Sequence, residues 1–139
     1  MNMSFKAKIP TEMVFGSGSL DRIYRMIFPG TKALVVTSPG KSVITTGSLE
    51  KVCNGLMRAG KEYCVFSGAE ANPTAENVAA GVKMAKEQGC DFVVGLGGGS
   101  SMDCAKAIVG AIKSAALRKL TLLCLHTKYP TRKHAKSPP

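Results

Sequence analysis

The most informative segment of this 139-residue chain is FVVGLGGGSSMDCAKAI, which runs from Phe92 to Ile108. The apolar residues from Phe92 to Leu96 predict a buried strand. Three glycines and two serines follow, and the residues after them have helical spacing. A strand, a turn without side chains and a helix start form a layout that holds phosphate groups, because the free N–H groups of the helix N-terminus point at the anion.

The glycine run matches no standard nucleotide motif completely. Gly95-x-Gly97-x-x-Ser100 lacks the third glycine of the G-x-G-x-x-G fingerprint. Lys106 lies a full helical turn beyond the place of the P-loop lysine. A tight turn that binds no ligand therefore remains one interpretation. Three glycines exceed what such a turn needs, which favours an anion site.

The chain up to about residue 112 alternates predicted strands and helices. Apolar runs predict strands at Ala33–Thr37, Glu62–Phe66 and Phe92–Leu96, and periodicity predicts helices near Leu20–Ile27, Ser48–Ala59, Ala75–Gln88 and Ser101–Ile112. Two shorter extended segments precede them, at Phe5–Lys8 and Glu12–Phe15. This order is typical of an α/β fold, a Rossmann-like parallel sheet with flanking helices. Ligands bind beyond the carboxyl ends of such strands, so the turns at 37–40, 67–72 and 97–100 should open onto one edge.

The apolar positions of the helices predict which sides face the core. One stripe is expected on the first helix and one on the second, and Gly60 and Gly89 are expected to end the second and third helices. The two stripes consist of Leu20, Ile23, Tyr24 and Ile27, and of Leu49, Val52, Cys53, Leu56 and Met57.

The positive charge is concentrated at the end of the chain. The net charge is +10, yet no Asp or Glu follows Asp103, and seven Lys and Arg lie in residues 111–139. We therefore expect an α/β domain over residues 1–113 and a basic, disordered tail over 114–139, although Leu120–Leu125 could form a strand. The tail alone suggests nucleic-acid binding, and because only Tyr129 interrupts its charges we do not favour that function.

The cysteines and the start of the chain point to a reducing compartment. The chain has five cysteines and no C-x-x-C pair, so we interpret them as reduced structural thiols. Residues 1–8 contain no apolar signal region, and no apolar span has membrane length. We therefore expect a cytoplasmic protein that does not bind membranes.

Several segments resemble the iron-containing alcohol dehydrogenase family. They are Met13–Gly18 (MVFGSG), Lys32–Thr37 (KALVVT), Asn72–Thr74 (NPT) and Gly97–Ala107 (GGGSSMDCAKA), in the expected order and spacing. The resemblance implies the N-terminal domain of a dehydroquinate synthase-like fold that binds NAD or NADP. It also implies a C-terminal helical domain holding iron or zinc, hydride transfer between a small alcohol and an aldehyde or ketone, and possible homo-oligomers.

The resemblance also implies roles for residues of this chain. Gly97, Gly98, Gly99 and Ser100 would hold the pyrophosphate, and Asp103 would cap or orient that turn. Thr37–Gly40, including Ser38 and Gly40, would lie near the adenosine ribose. Many relatives carry an acidic residue where Ser38 stands, and a neutral side chain there would admit NADP. Asn72, Pro73 and Thr74 would form a second cofactor loop, or only a helix N-terminus.

The chain departs from the family after about residue 113. The threonine-rich segment and the metal site of one aspartate and three histidines are not found, and His126 and His134 are the only histidines. We therefore expect no catalytic residues and no metal ligands in this chain, which reads as a truncated or frameshifted product. It would be an NAD(P)-binding portion of an alcohol dehydrogenase, inactive alone. The alternative is a non-enzymatic nucleotide-binding or interaction module.

Overall fold

A computed structural model describes residues 19–40, 42–70, 74–112 and 119–124, and for residues 19, 42, 43 and 119–124 it describes the backbone alone. These residues form a 3₁₀ helix, Ser19–Arg25, and four strands: β1 (Lys32–Thr37), β2 (Glu62–Phe66), β3 (Phe92–Gly97) and β4 (Lys119–Cys124). The helices are α1 (Ser42–Thr45), α2 (Ser48–Arg58), α3 (Ala75–Glu87) and α4 (Gly99–Ala111). The extended segments predicted at Phe5–Lys8 and Glu12–Phe15 lie outside the described residues.

The four strands form one sheet in the order β2-β1-β3-β4, and all neighbouring pairs are parallel. The predicted α/β fold with a parallel sheet is confirmed. β4 comes from the segment for which the sequence predicted a basic tail, because its apolar residues supply the strand that the pattern at Leu120–Leu125 allowed. Six residues of that segment therefore belong to the sheet, while residues 125–139 lie outside the described part of the chain.

The sheet separates two apolar clusters, because successive side chains of a strand point to opposite faces. On one face Leu34, Val36 and Val93 pack with residues of α3 and α4, among them Ala85 and Ile108. On the opposite face, a second apolar cluster joins the sheet to the 3₁₀ helix and α2. Its members include Ala33, Val35, Phe92, Val94 and Leu96 of the strands and Ile23, Val52 and Leu56 of the helices. The central strands β1 and β3 are therefore covered on both sides.

Glycines end two of the helices where the sequence predicted. α2 and α3 are followed by Gly60 (φ +76°) and Gly89 (φ +68°), a left-handed conformation that glycine adopts without steric cost. α4 begins at Gly99, two residues earlier than expected. The short helix α1 was not predicted.

Two predicted core residues are exposed. The segment after Ser19 is a 3₁₀ helix that ends at Arg25, so Ile27 falls beyond it and is 97% exposed. Met57 is 61% exposed, because it lies outside the part of α2 that is buried, which includes Val52, Cys53 and Leu56. Both assignments to the core were therefore wrong.

The 3₁₀ helix packs closely on α2. A Cβ at Gly55 would collide with the Ile23 side chain, so the close contact requires a glycine in the middle of α2. Around it, Lys51 pairs with Asp21 at 3.1 Å. The Arg58 guanidinium lies 3.7 Å from the centre of the Tyr24 ring, a cation–π contact.

Asp91 joins the amino ends of the two central strands. Its carboxylate accepts hydrogen bonds from the backbone N–H groups of Thr31 and Lys32 and from the Thr31 hydroxyl, all at 2.9 Å. Burial opposes the charge of this carboxylate, but these hydrogen bonds outweigh it and lower the Asp91 pKa. Gly30 packs against the same carboxylate, where a Cβ would collide with it.

The four cysteines whose side chains are described are free thiols: Cys53, Cys90 and Cys104 are buried, and Cys64 is half-buried. None of the helices in the described ranges has the length and apolar character needed to cross a membrane.

Candidate functional site

The candidate site lies at the carboxyl edge of the sheet, where β1 and β3 end side by side. Thr37, the last residue of β1, is paired with Leu96 in β3, so the segment from Ser38 starts beside the glycine turn. Adjacent strands are about 4.8 Å apart, which brings these two turns within reach of one extended ligand. The sequence prediction that both open onto one edge agrees with this register.

The glycine turn combines a backbone conformation that favours glycine with open space around its exposed residues. Gly97 ends β3 with φ +128°, a conformation that other residues rarely adopt, and it is buried. Gly98 and Gly99 are exposed, and a Cβ at either position would meet no atom within 4 Å. The backbone of Gly98 is extended, with φ −88° and ψ −165°. Neither backbone conformation nor packing therefore requires a glycine at position 98, and packing does not require one at 99.

The first amide groups of α4 are available to a ligand. Gly98 is the N-cap and has no side chain to accept a hydrogen bond from them. Met102 donates the first bond of the helix, to the Gly98 carbonyl oxygen at 3.2 Å, so the N–H groups of Gly99, Ser100 and Ser101 precede it. Ser101 is fully buried, so the amides of Gly99 and Ser100, with the partial positive charge of the helix end, are the groups that a phosphate can approach. The residues present therefore fit a dinucleotide diphosphate.

The β1 turn contributes no acidic side chain. Ser38 is half-buried and Gly40 is exposed, and no acid occurs between Lys32 and the start of α2. The Thr37 carbonyl oxygen accepts a hydrogen bond from the Ala69 N–H at 3.2 Å, which ties this turn to the segment that follows β2.

Thr74 is the N-cap of α3, and its hydroxyl accepts a hydrogen bond from the Asn77 N–H at 3.2 Å. This contact fits the simpler interpretation of the Asn-Pro-Thr segment as a helix start. Asn72 and Pro73 lie outside the described residues, so a cofactor contact by this loop stays a prediction.

Asp103 lies on the second turn of α4 and is exposed. Its predicted role in orienting the glycine turn stays a prediction, as do the other individual assignments.

Two hydroxyl groups at this edge are buried, and one of them, that of Thr37, belongs to the segment that the sequence analysis placed near the ribose. The side chains of Thr37 and Ser101 are fully buried, and neither oxygen has a hydrogen-bond partner among the described residues. A buried hydroxyl without a partner destabilises the fold. Ser101 was assigned no role from the sequence, and its position directly after the predicted site residue Ser100 was the only signal available.

A groove of the described structure lies away from this edge. It has a volume of about 740 Å³ and lies along α3, lined by Val78, Val82 and Ala111 among others, with none of the predicted site residues. A concave shape alone would therefore direct attention away from the glycine turn. The uncapped amides are the better guide, because a diphosphate binds by hydrogen bonds to an exposed turn.

The described residues supply no metal centre, since they contain no group of three or more His, Cys, Asp and Glu side chains placed to hold an ion. His126 and His134 lie outside these residues.

Comparison with known proteins gives a consistent result. The family model described as "Iron-containing alcohol dehydrogenase" matches residues 10–138, beyond the point near Ser114 where the motif resemblance stops. A probable NADH-dependent butanol dehydrogenase of Bacillus subtilis is 36% identical over 104 residues, covering 75% of this chain and 27% of that protein. A 1,3-propanediol dehydrogenase of Klebsiella pneumoniae is 35% identical over 106 residues, with the same coverage. The chain thus spans about a quarter of the length of these relatives.

Solved structures agree with these matches. An archaeal alcohol dehydrogenase from a Red Sea brine pool is 38% identical, with a TM-score of 0.68 over 78% of this chain and 27% of the other. A Thermotoga maritima NADH-dependent butanol dehydrogenase is 30% identical, with a TM-score of 0.70 over 81% of this chain and 29% of the other. Together with the glycine turn and the parallel sheet, these matches show that the chain belongs to the iron-containing alcohol dehydrogenase family.

Proposed function

We propose that this chain is the NAD(P)-binding portion of a metal-dependent alcohol dehydrogenase and binds the dinucleotide at the carboxyl edge of its sheet. The observation that carries the proposal is the turn at Gly97–Gly99. Its exposed glycines face open space, and it leads into a helix whose first amides lack a capping side chain. The relatives named above as NADH-dependent dehydrogenases support the choice of ligand.

The amides of Gly99 and Ser100 would donate hydrogen bonds to the diphosphate, and the absence of side chains at Gly98 and Gly99 would let it approach the backbone. The β1 turn with Ser38 and Gly40 would lie beside the adenosine ribose. Because that turn carries no carboxylate, a 2′-phosphate would meet no repulsion there, and NADP would be accepted as well as NAD.

When bound, the nicotinamide supplies a hydride that moves to or from the carbon atom of an alcohol or aldehyde. The protein's own contribution is to hold and orient the dinucleotide. Since the described residues provide no metal site, we expect alcohol-dependent reduction of NAD or NADP by this chain alone to be at background. A nucleotide-binding module without catalysis is the second candidate, favoured by the same combination of a complete phosphate turn and no described metal site.

Binding can be tested by calorimetric titration of the purified chain with NADH, NADPH and ADP-ribose. We expect all three to bind, because the diphosphate carries the contact with the glycine turn. The variant Gly98→Asp should weaken binding at least about tenfold, equivalent to about 1.4 kcal/mol. The new carboxylate would occupy the amides that the diphosphate needs and repel its charge. Asp is also a favourable N-cap, so the thermal stability of this variant should not fall.

Gly110→Asp is the matched control, because Gly110 is also exposed, belongs to the same helix and faces open space. It should leave dinucleotide affinity unchanged. Binding of none of the three ligands to the folded chain would refute the proposal, and equal weakening by both variants would refute the assignment to the glycine turn. Alcohol-dependent NAD or NADP reduction above the Gly98→Asp background would refute the expected inactivity.

A further inference from the structure

Two cysteines that are distant in sequence lie in contact on the face of the sheet that α3 and α4 cover. The sulfur atoms of Cys64, in β2, and Cys90, just before β3, are 3.3 Å apart and share a thiol–thiol hydrogen bond. Both contact the apolar cluster that includes Leu34 and Val93. A disulfide needs a sulfur–sulfur distance of about 2.05 Å, so the two atoms would have to approach by little more than 1 Å.

The two thiols differ in access to solvent. Cys64 is half-buried on β2, which is an edge strand among the strands that the structure describes, whereas Cys90 is 2% exposed. Burial, and then the hydrogen bond and charge interaction with Cys64, raise the Cys90 pKa to about 12, so its sulfur stays protonated at neutral pH. An oxidant arriving from solvent would therefore meet the Cys64 sulfur first.

We propose that Cys64 and Cys90 form a reversible disulfide when the chain meets a peroxide. The peroxide oxygen–oxygen bond breaks as the Cys64 sulfur is oxidised to a sulfenic acid, with release of one water molecule. The Cys90 sulfur then attacks the Cys64 sulfur, and the departing hydroxide leaves with the Cys90 proton as a second water. Two thiols and one peroxide give one disulfide and two waters, and a dithiol reductant reverses the reaction.

The bond would close a loop that contains α3 and would constrain the unfolded chain. Cys90 lies at the amino end of β3, and Cys64 lies in mid-strand, level with Leu34. Neither position is part of the carboxyl edge that holds the glycine turn. Oxidation should therefore raise stability and leave dinucleotide binding unchanged, which separates this proposal from the proposed function.

Peptide mapping of the wild-type chain tests the bond directly. The reduced chain is treated with hydrogen peroxide, free thiols are blocked with N-ethylmaleimide, and trypsin cleavage follows. We expect the tryptic peptide of residues 62–83 to be linked to the peptide of residues 87–106. The linked product should weigh two hydrogens less than the sum of the two reduced peptides. Because the second peptide also contains Cys104, fragmentation must assign the link to Cys90. Full alkylation of Cys64 and Cys90 after peroxide, or a link to another cysteine, would overturn the proposal.

Thermal unfolding gives a second readout. The oxidised wild type should melt on the order of 10 °C higher than the reduced chain, and dithiothreitol should remove the difference. Cys64→Ser should abolish this shift, whereas Cys53→Ala, which removes a thiol that has Tyr63 as its neighbour, should retain it. A persistent shift in Cys64→Ser would contradict the proposal. If a variant does not fold, the wild-type peptide map decides alone.

Discussion

The two edges of the sheet differ in whether their polar groups have hydrogen-bond partners. At the amino edge the Asp91 carboxylate accepts hydrogen bonds from Thr31 and Lys32, and Gly30 is a glycine because a Cβ would strike that carboxylate. At the carboxyl edge the amides of α4 have no capping side chain, the Ser101 hydroxyl has no described partner, and Gly98 faces open space. One edge stabilises the fold, while the other leaves polar groups without a described partner.

The largest effect should come from removing the Asp91 clamp, by which we mean the carboxylate that links the amino ends of β1 and β3. Asp91→Ala leaves the N–H groups of Thr31 and Lys32 without their acceptor, and we expect a loss of about 3 kcal/mol in the free energy of unfolding. Urea denaturation measures the loss. Asp103→Ala is the comparison at the other edge, where an exposed carboxylate should contribute less than about 0.5 kcal/mol. Equal losses in the two variants would contradict the contrast between the edges.

Glycines at the two edges should respond differently to a methyl group. Gly30→Ala should lower the free energy of unfolding by about 2 kcal/mol, because the new Cβ collides with Asp91. Gly99→Ala should leave stability unchanged or raise it by up to about 1 kcal/mol, since its Cβ meets nothing and alanine favours helix. Its dinucleotide affinity should fall. The clearest contradiction would be Gly99→Ala with normal affinity and reduced stability.

The amino-edge clamp should also give an acid dependence. Because the folded Asp91 pKa is lowered, its contribution to stability is present above the unfolded pKa of about 3.8 and is lost as the pH falls below that value. Asp91→Asn keeps the shape and cannot titrate, so the stability gap between wild type and this variant should narrow with falling pH. Unfolding at a series of pH values between neutral and acidic measures the gap. A constant gap would show that the charge of Asp91 contributes nothing.

The smallest expected effect is a gain at the carboxyl edge. Ser101→Ala removes a buried hydroxyl without a described partner and should raise the free energy of unfolding by roughly 0.5–1 kcal/mol. Ser100→Ala, one residue earlier and half-buried, serves as the control and should change stability less. Denaturant titration of both variants provides the measurement. A loss of stability in Ser101→Ala would show that the hydroxyl is satisfied in the protein.

The sequence predicted the local elements well, because their signals are local. β2 has the bounds that its apolar run indicated, and α2 and α3 end at glycines with positive φ. Ile27 and Met57 were misplaced because a helical stripe does not reveal a 3₁₀ geometry or how wide the buried surface is. The Asp91 clamp could not be predicted, since it depends on β1 and β3 being neighbours, and strand order is a property of the whole chain. The strand, the glycine turn and the helix start could be located because they are formed by consecutive residues, while the role of the turn stays a prediction.

The central position of β1 also has a consequence for synthesis of the chain. As the polypeptide leaves the ribosome, β1 can pair with β2 about 30 residues later, but its other neighbour, β3, emerges only after α3. Until then one side of an apolar strand has no partner. Long-range parallel pairing is slow and exposes such strands to association between nascent chains. Slowed translation between residues 66 and 92 should therefore lower the yield of soluble product.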